Sequence, residues 1–133
     1  MISISNIRIL IIDDHPLIRT ATKMLLESCK QVEVVGEAAD GATGITLALK
    51  YRPDVVLTDI NMQPIDGIET TRQLLRADAS LIVIGFSALP DRHQEQEMLQ
   101  AGAVCVINKS ASRQELCDGI LKQVKQKTQQ RRW

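Results

Sequence analysis

Three carboxylates, one hydroxyl and one ammonium group stand directly after apolar runs in this sequence. Asp13 and Asp14 follow Ile7 to Ile12, and Asp59 follows the run from Asp54 to Thr58. Ser87 follows Leu81 to Phe86, and Asn108 and Lys109 follow Ala103 to Ile107. Clustered carboxylates repel one another unless a cation joins them, and hard oxygen donors without a Cys or paired-His set suit Mg2+ better than zinc. A lysine and a serine hydroxyl beside such a cation form a clamp for phosphoryl oxygens. Asp59 would then be the nucleophile. Carboxylate attack on phosphorus gives an acyl phosphate, a step that mainly needs positioning and neutralised charge on the equatorial oxygens. No separate base is required, because an ordinary aspartate is already ionised at neutral pH.

These groups meet only if the runs before them are neighbouring strands. Ile7 to Ile12, Asp54 to Thr58 and Leu81 to Phe86 are nearly continuous aliphatic segments, as expected of strands covered on both faces; Val32 to Glu37 and Ala103 to Ile107 are shorter relatives. Between and after them, apolar residues recur at helical spacing: Leu17, Ala21, Met24; Ile45, Ala48, Leu49; Ile68, Thr71, Leu74, Leu75; Met98, Leu99, Ala101; and Leu116, Ile120, Val124. Pro16 suits a first helical turn, where its missing N–H has no intrahelical use. Asp66 with Glu69, Asp91 with Gln94, and Ser112 with Glu115 each fit a cap followed three positions later by an acid or amide. Five alternating βα units imply an α/β fold with a parallel sheet, right-handed crossovers and helices on both faces. Ligands of such sheets bind beyond the carboxyl ends of the strands, where the polar groups above stand.

Composition narrows the function classes. The 133 residues make one domain large enough to bury a core without staples, and 16 basic against 16 acidic side chains give no net field for nucleic acid or an anionic membrane. Only Tyr51, Phe86 and Trp133 are aromatic, too few for a platform that stacks bases. No apolar run reaches a membrane span, and Met1 to Asn6 lacks the features of a signal peptide, so a soluble, cytoplasmic chain is expected. Cys29, Cys105 and Cys117 are odd in number and far apart, which predicts neither a disulfide framework nor a zinc site; Cys105 and Cys117 read as small buried hydrophobes. Gly36, Gly41 and Gly44 form no phosphate-cradling loop.

Up to about Lys125 the chain resembles the receiver domain of bacterial two-component response regulators. The resemblance rests on Ile9 to Leu17 with its Asp13-Asp14-His15-Pro16 core, on Pro53 to Met62, on Asp66-Gly67, on Phe86-Ser87-Ala88, and on Ala101-Gly102-Ala103 followed by Lys109. It implies a flavodoxin-like (βα)5 doubly wound sheet of strand order 2-1-3-4-5, with two helices on one face and three on the other. Residue by residue, it implies Asp59 as phosphoacceptor and Asp14, Asp59 and the main-chain carbonyl of Asn61 as Mg2+ ligands, with Asp13 acting through water. Ser87 and Lys109 would bind the phosphoryl oxygens. Asn61 and Leu89 occupy positions that modulate acyl phosphate hydrolysis, and an apolar Leu89 would restrict water. The implied partners are a sensor histidine kinase, a second copy through the fourth helix, fifth strand and fifth helix, and a DNA-binding domain outside this chain. The opening Asp-Asp-His-Pro-Leu-Ile-Arg is similar to the subfamily that usually carries a LuxR-type helix-turn-helix. Such a domain is regulatory, assisting its own phosphorylation rather than turning over an external substrate.

Two positions depart from that pattern. Pro64 stands one place late after Met62-Gln63, and Val106 replaces the usual aromatic residue three positions before the lysine. A valine has no ring to follow the serine inward, which keeps a phosphorylation-independent interaction module open as the alternative. A flavodoxin-like enzyme lacks any cofactor loop, and the Asp-x-His of residues 13–15 lacks the glycine of a cobalamin site, with Ile18 in its place. His15 reads as a helix-start residue at the pocket rim and His93 as a solvated helix residue. Residues 1–125 are read as the receiver. Residues 126–133 are read as a basic polar tail or the start of a linker, with Lys122, Lys125, Lys127, Arg131 and Arg132 following the last acid, Asp118.

Overall fold

The computed structural model describes residues 6–89 and 91–130, so the readings of the first five residues and of Arg131, Arg132 and Trp133 lie outside the described residues. Ten elements alternate along the chain: β1 (Ile7–Ile12), α1 (Pro16–Glu27), β2 (Val32–Ala38), α2 (Gly41–Tyr51), β3 (Val55–Asp59), α3 (Gly67–Ala77), β4 (Ile82–Ser87), α4 (Arg92–Ala101), β5 (Cys105–Asn108) and α5 (Arg113–Gln130). The strands form one parallel sheet in the order β2-β1-β3-β4-β5. This is the flavodoxin-like arrangement expected from the sequence.

Strand alternation divides the core. Ile7, Ile9, Ile11, Val55, Leu57, Ile82 and Ile84 point to α1 and α5, where Leu26, Leu116, Ile120 and Val124 cover them. Leu10, Ile12, Val56 and Val83 point the other way, onto Ala48, Ile68, Leu74 and Met98 of α2, α3 and α4. Two helices therefore lie on one face and three on the other. Both faces being covered explains why the strands read as continuous aliphatic runs.

Helix starts follow their caps. Asp66 accepts from the Glu69 N–H at 2.9 Å, and Asp91 accepts from His93 and Gln94 at 2.8 and 3.4 Å. Ser112 and Glu115 bond reciprocally at 3.1 Å in both directions, a complete capping box. Asp40 caps α2 through Thr43 N at 2.7 Å, a cap the sequence reading did not single out. Helix α4 ends on Gly102 at φ 115°, a left-handed position that favours glycine. Ala103 N then donates to Met98 O at 3.0 Å, so the fifth strand starts only at Cys105 instead of Ala103. The Gln63-Pro64 bond is cis. Helix α5 runs unbroken through residues 126–130.

One expectation is corrected. Cys29, just past α1, and Cys117 of α5 are joined by a disulfide, with their Cα atoms 6.1 Å apart across 88 residues of sequence. Counting and spacing missed it because the two meet only when α1 and α5 pack on the same sheet face. Cys105 remains a free thiol, half-buried against that core, and burial pushes its pKa up. Among the described residues, no helix is long and apolar enough to cross a membrane.

Candidate functional site

Register brings the strand ends level. Ile12 pairs with Thr58, Asp59 with Phe86, and Ser87 with Asn108, so the residues that close or follow β1, β3, β4 and β5 share one edge. The Asp13 N–H donates to Ala38 O at 3.0 Å, and the Lys109 N–H donates to Ser87 O at 2.8 Å, fixing both main chains where the sheet ends. Arg19 grips the Asp13 carbonyl at 2.6 Å and also pairs with Glu37 at 3.5 Å.

At this edge the side chains converge. Lys109 Nζ lies 2.8 Å from Asp13 Oδ2 and 3.3 Å from Asp59 Oδ1, and all three side chains are at least nine-tenths buried. Asp14 borders them, about one-third exposed. One ammonium thus faces three carboxylates. Burial is the largest influence on Asp59 and pushes its pKa up; Lys109 opposes this, while Asp13 and Asp14 reinforce it. Asp59 Oδ2, Asp14 Oδ1 and Ser87 Oγ are buried without a hydrogen-bond partner within the protein. Buried polar atoms ordinarily have partners, so Asp59 Oδ2 and Ser87 Oγ are open acceptor and donor positions, whereas Asp14 Oδ1 has His15 Nδ1 at 3.0 Å.

The donor set fits a divalent cation: single atoms of Asp13, Asp14, His15 and Asp59 all lie within 4.8 Å of one another. Carboxylate oxygens surrounding excess negative charge suit a hard ion. Asn61 sits at the rim of an adjoining cleft with Asp14, Met62, Gln63 and Asp66. Its amide oxygen accepts from Gln94 of α4 at 2.7 Å, tying the loop after β3 to that helix.

The remaining sequence-selected residues lie apart from the carboxylates. Val106 packs on the α2–α4 face, where a side chain at Gly85 would crowd it at 3.1 Å. Leu89 is 82% exposed, so its side chain covers nothing in the protein itself. His93 is exposed and contacts Glu97 at 3.1 Å.

Two contributors escaped the sequence reading. His15 was expected only at the rim, yet its Nδ1 lies 3.0 Å from Asp13 Oδ1, 3.0 Å from Asp14 Oδ1 and 3.6 Å from Asp59 Oδ2. Its place directly after two aspartates was the available signal. Gly67 brings α3 against the phosphoacceptor candidate: its N–H donates to Ile60 O at 2.6 Å, and a Cβ there would collide with the carbonyl of Asp59. The Asp66-Gly67 pair enters the sequence reading as a cap and as part of the family resemblance, and neither reveals this close approach.

Comparison with known proteins agrees with this geometry. Residues 9–121 match the response regulator receiver domain family. The transcriptional regulatory protein LiaR of Bacillus subtilis is 37% identical over 114 residues, which cover 86% of this chain and 54% of LiaR. The response regulator GacA of Pseudomonas aeruginosa is 35% identical over 86% of this chain and 53% of its own length. The chain thus spans about half the length of the curated relatives it matches. Among solved structures, the signal receiver domain of the putative response regulator NarL from Mycobacterium tuberculosis superposes with a TM-score of 0.84 at 32% identity, covering 91% of this chain and 98% of that one. A LuxR-family response regulator from Aurantimonas gives a TM-score of 0.83 at 30% identity, over 89% and 86% of the two chains. Parallel sheet, strand-end carboxylates and sequence similarity agree that the chain belongs to the receiver domains of two-component response regulators.

Proposed function

We propose that this receiver accepts a phosphoryl group on Asp59 and converts the change of charge into altered association. The observation that carries the reading is the buried Asp59 itself, with Oδ1 held by Lys109 at 3.3 Å and Oδ2 left without a partner. Oδ2 attacks phosphorus as the P–N bond of a phosphohistidine breaks, and the departing imidazole leaves with a proton from solvent. Lys109, already shared between Asp13 and Asp59, stays close enough to pair with a phosphoryl oxygen. The Ser87 hydroxyl donates to another. Asp14, Asp59, the Asn61 carbonyl and, through water, Asp13 would hold Mg2+, which when bound supplies positive charge against the phosphoryl oxygens.

Surface chemistry supports the partners. Leu17, Ile18, Ala21 and Met24 expose an apolar face on α1 beside the carboxylates, suited to a histidine kinase that must bring its phosphohistidine to Asp59. Leu99 of α4 and Val104 before β5 are also exposed, which suits a second copy on the α4, β5 and α5 side. A DNA-binding output domain would lie in sequence beyond this chain, as the length of the relatives suggests. Leu89, exposed in the resting structure, would have to close over Asp59 to slow hydrolysis of the acyl phosphate, and Leu89→Asn would then shorten its lifetime.

The test is intact mass after incubation with Mg2+ and a small phosphodonor. A gain of about 80 Da, absent from Asp59→Asn, supports the reading. No adduct overturns it in favour of a phosphorylation-independent interaction module, the alternative that Val106 favours by supplying no ring for a coupled rotation. Oligomeric state with and without beryllium fluoride then reads the output.

A further inference from the structure

One covalent link joins two helices away from the carboxylates. Cys29, in the turn after α1, and Cys117 of α5 form the disulfide described above. Their sulfurs differ in reach: Cys29 is only 5% exposed, whereas Cys117 is partly open to solvent on α5. The same two helix ends are tied a second time, because the Arg113 guanidinium donates to Ser28 Oγ and to the Ser28 carbonyl, both at 2.6 Å. Arg113 stands one turn before Cys117 on the same face of α5, so a thiolate formed at Cys117 has a cation on its side of the helix. A released Cys29 thiol has an acceptor in place, the Leu25 carbonyl 3.5 Å from its Sγ. Leu26, Leu116, Ile120 and Val124 are fully buried against the sheet and close the core whether or not the sulfurs are joined.

We propose that Cys29–Cys117 is a reversible redox site that exchanges with a dithiol reductant through Cys117 and sets how firmly α1 is held to α5. A thiolate of the dithiol attacks Cys117 Sγ, the bond to Cys29 breaks, and Cys29 leaves as a thiolate that takes a proton from solvent. The second thiolate of the reductant then attacks its own sulfur in the mixed disulfide, releasing Cys117 and leaving the reductant as a cyclic disulfide. Two electrons pass from the dithiol to the bridge, and oxidation by a disulfide runs the same steps backwards. A bridge with one reachable sulfur can exchange in the folded state, whereas one with both sulfurs buried opens only when the fold does. The Arg113 contacts with Ser28 involve no sulfur, so after reduction they keep the two thiols close enough to rejoin. Once the bridge opens, the end of α1 is held by that clamp and by apolar packing alone. Helix α1 is also the one that exposes Leu17 and Met24, so the redox state acts on how rigidly this apolar face is presented. None of this requires phosphorylation of Asp59.

The test incubates the folded wild-type chain with mixtures of reduced and oxidised dithiothreitol, quenches in acid and urea, and counts thiols by the mass of a maleimide tag. The expected result is one tagged residue, Cys105, in the oxidised chain and all three cysteines in the reduced one, with unchanged circular dichroism and full return on reoxidation. Hydrogen exchange should quicken on reduction by about fivefold or more at the end of α1 and the start of α5, and by less in β3. The point of attack is read with oxidised glutathione and peptide mass: Cys29→Ser, which leaves Cys117, should form the mixed disulfide about tenfold faster than Cys117→Ser, which leaves the buried Cys29. A bridge that opens only in urea, or exchange at α1 and α5 that ignores reduction, overturns the proposal, and both are read on the wild type even if a variant folds poorly. Equal rates in the two variants overturn the assignment of Cys117 as the attacked sulfur. Phosphoryl uptake by Asp59, present or absent, leaves each of these outcomes as it is.

Discussion

Removing the charge of Asp59 should stabilise the fold. Asp59 Oδ1 lies 3.3 Å from Lys109 Nζ, an attraction of about 5 kcal/mol at an effective dielectric constant of roughly 20. Against it stand Asp13 and Asp14, each with an oxygen within 4.8 Å of one on Asp59, and each repelling by about 3.5 kcal/mol or more on the same basis. Lys109 attracts Asp59 more strongly than either carboxylate repels it, and burial, the largest influence, is what turns the balance against the charge, with Asp13 and Asp14 adding to it. Asn has the same shape and still accepts from Lys109. Allowing for screening at the open side of the pocket, Asp59→Asn should raise the unfolding free energy by about 1–3 kcal/mol at neutral pH in chelator. The pH dependence follows from the raised pKa. Between the ordinary aspartate range and the native value, the folded state binds more protons than the unfolded state, so wild-type stability falls as pH rises through that window. Below it both states are protonated and the advantage of the variant disappears. Urea unfolding followed by circular dichroism across that pH range checks this. Equal stability of the two proteins at neutral pH, or a gap that persists into acid, would refute the electrostatic argument.

Other perturbations separate the structural parts. Lys109→Met leaves Asp13 and Asp59 buried without their shared ammonium and should cost about 3–5 kcal/mol, part of it recovered by added divalent cation; an unchanged urea midpoint would count against the pairing. Gly67→Ala drives a methyl into the Asp59 carbonyl and should lower stability by about 1–3 kcal/mol while also slowing phosphoryl uptake, both measurable on one preparation. Cys117→Ser opens an 88-residue linkage and should lower stability by about 2–4 kcal/mol, as should dithiothreitol on the wild type. Identical midpoints under oxidising and reducing conditions would refute that link.

The elements that set the site were legible because each carries a local signal. Aliphatic runs ending in Asp13, Asp59, Ser87 and Asn108 give both the strand and the place where it stops, and Asp66, Asp91 and Ser112 announce helices by satisfying orphan N–H groups. A parallel sheet then puts every strand end on one edge whatever the details of packing. Contacts depending on the reach of a side chain carried no such signal. Cys29 and Cys117 are brought together by the packing of α1 and α5, and Asn61 meets Gln94 across 33 residues. Each depends on the angle between elements, which periodicity does not encode.

Charge makes the same distinction at the level of function. A formal charge of zero excluded a whole-molecule field, yet the sum conceals a pocket where one lysine faces three carboxylates. That imbalance costs stability, and the fold tolerates it because two aliphatic clusters cover the sheet on both faces behind the pocket. Anything that brings positive charge to the strand ends, or removes negative charge there, relieves the repulsion. A divalent cation should therefore bind more tightly to the folded chain than to the unfolded one, and its addition should raise the urea midpoint. Phosphorylation of Asp59, as proposed, would act in the opposite sense, because the phosphoryl group adds negative charge beside Asp13 and Asp14. The phosphorylated state would then need the cation and Lys109 more than the resting state does. On that reading Asp59 modification and divalent binding are linked, and each should strengthen the other by the same factor.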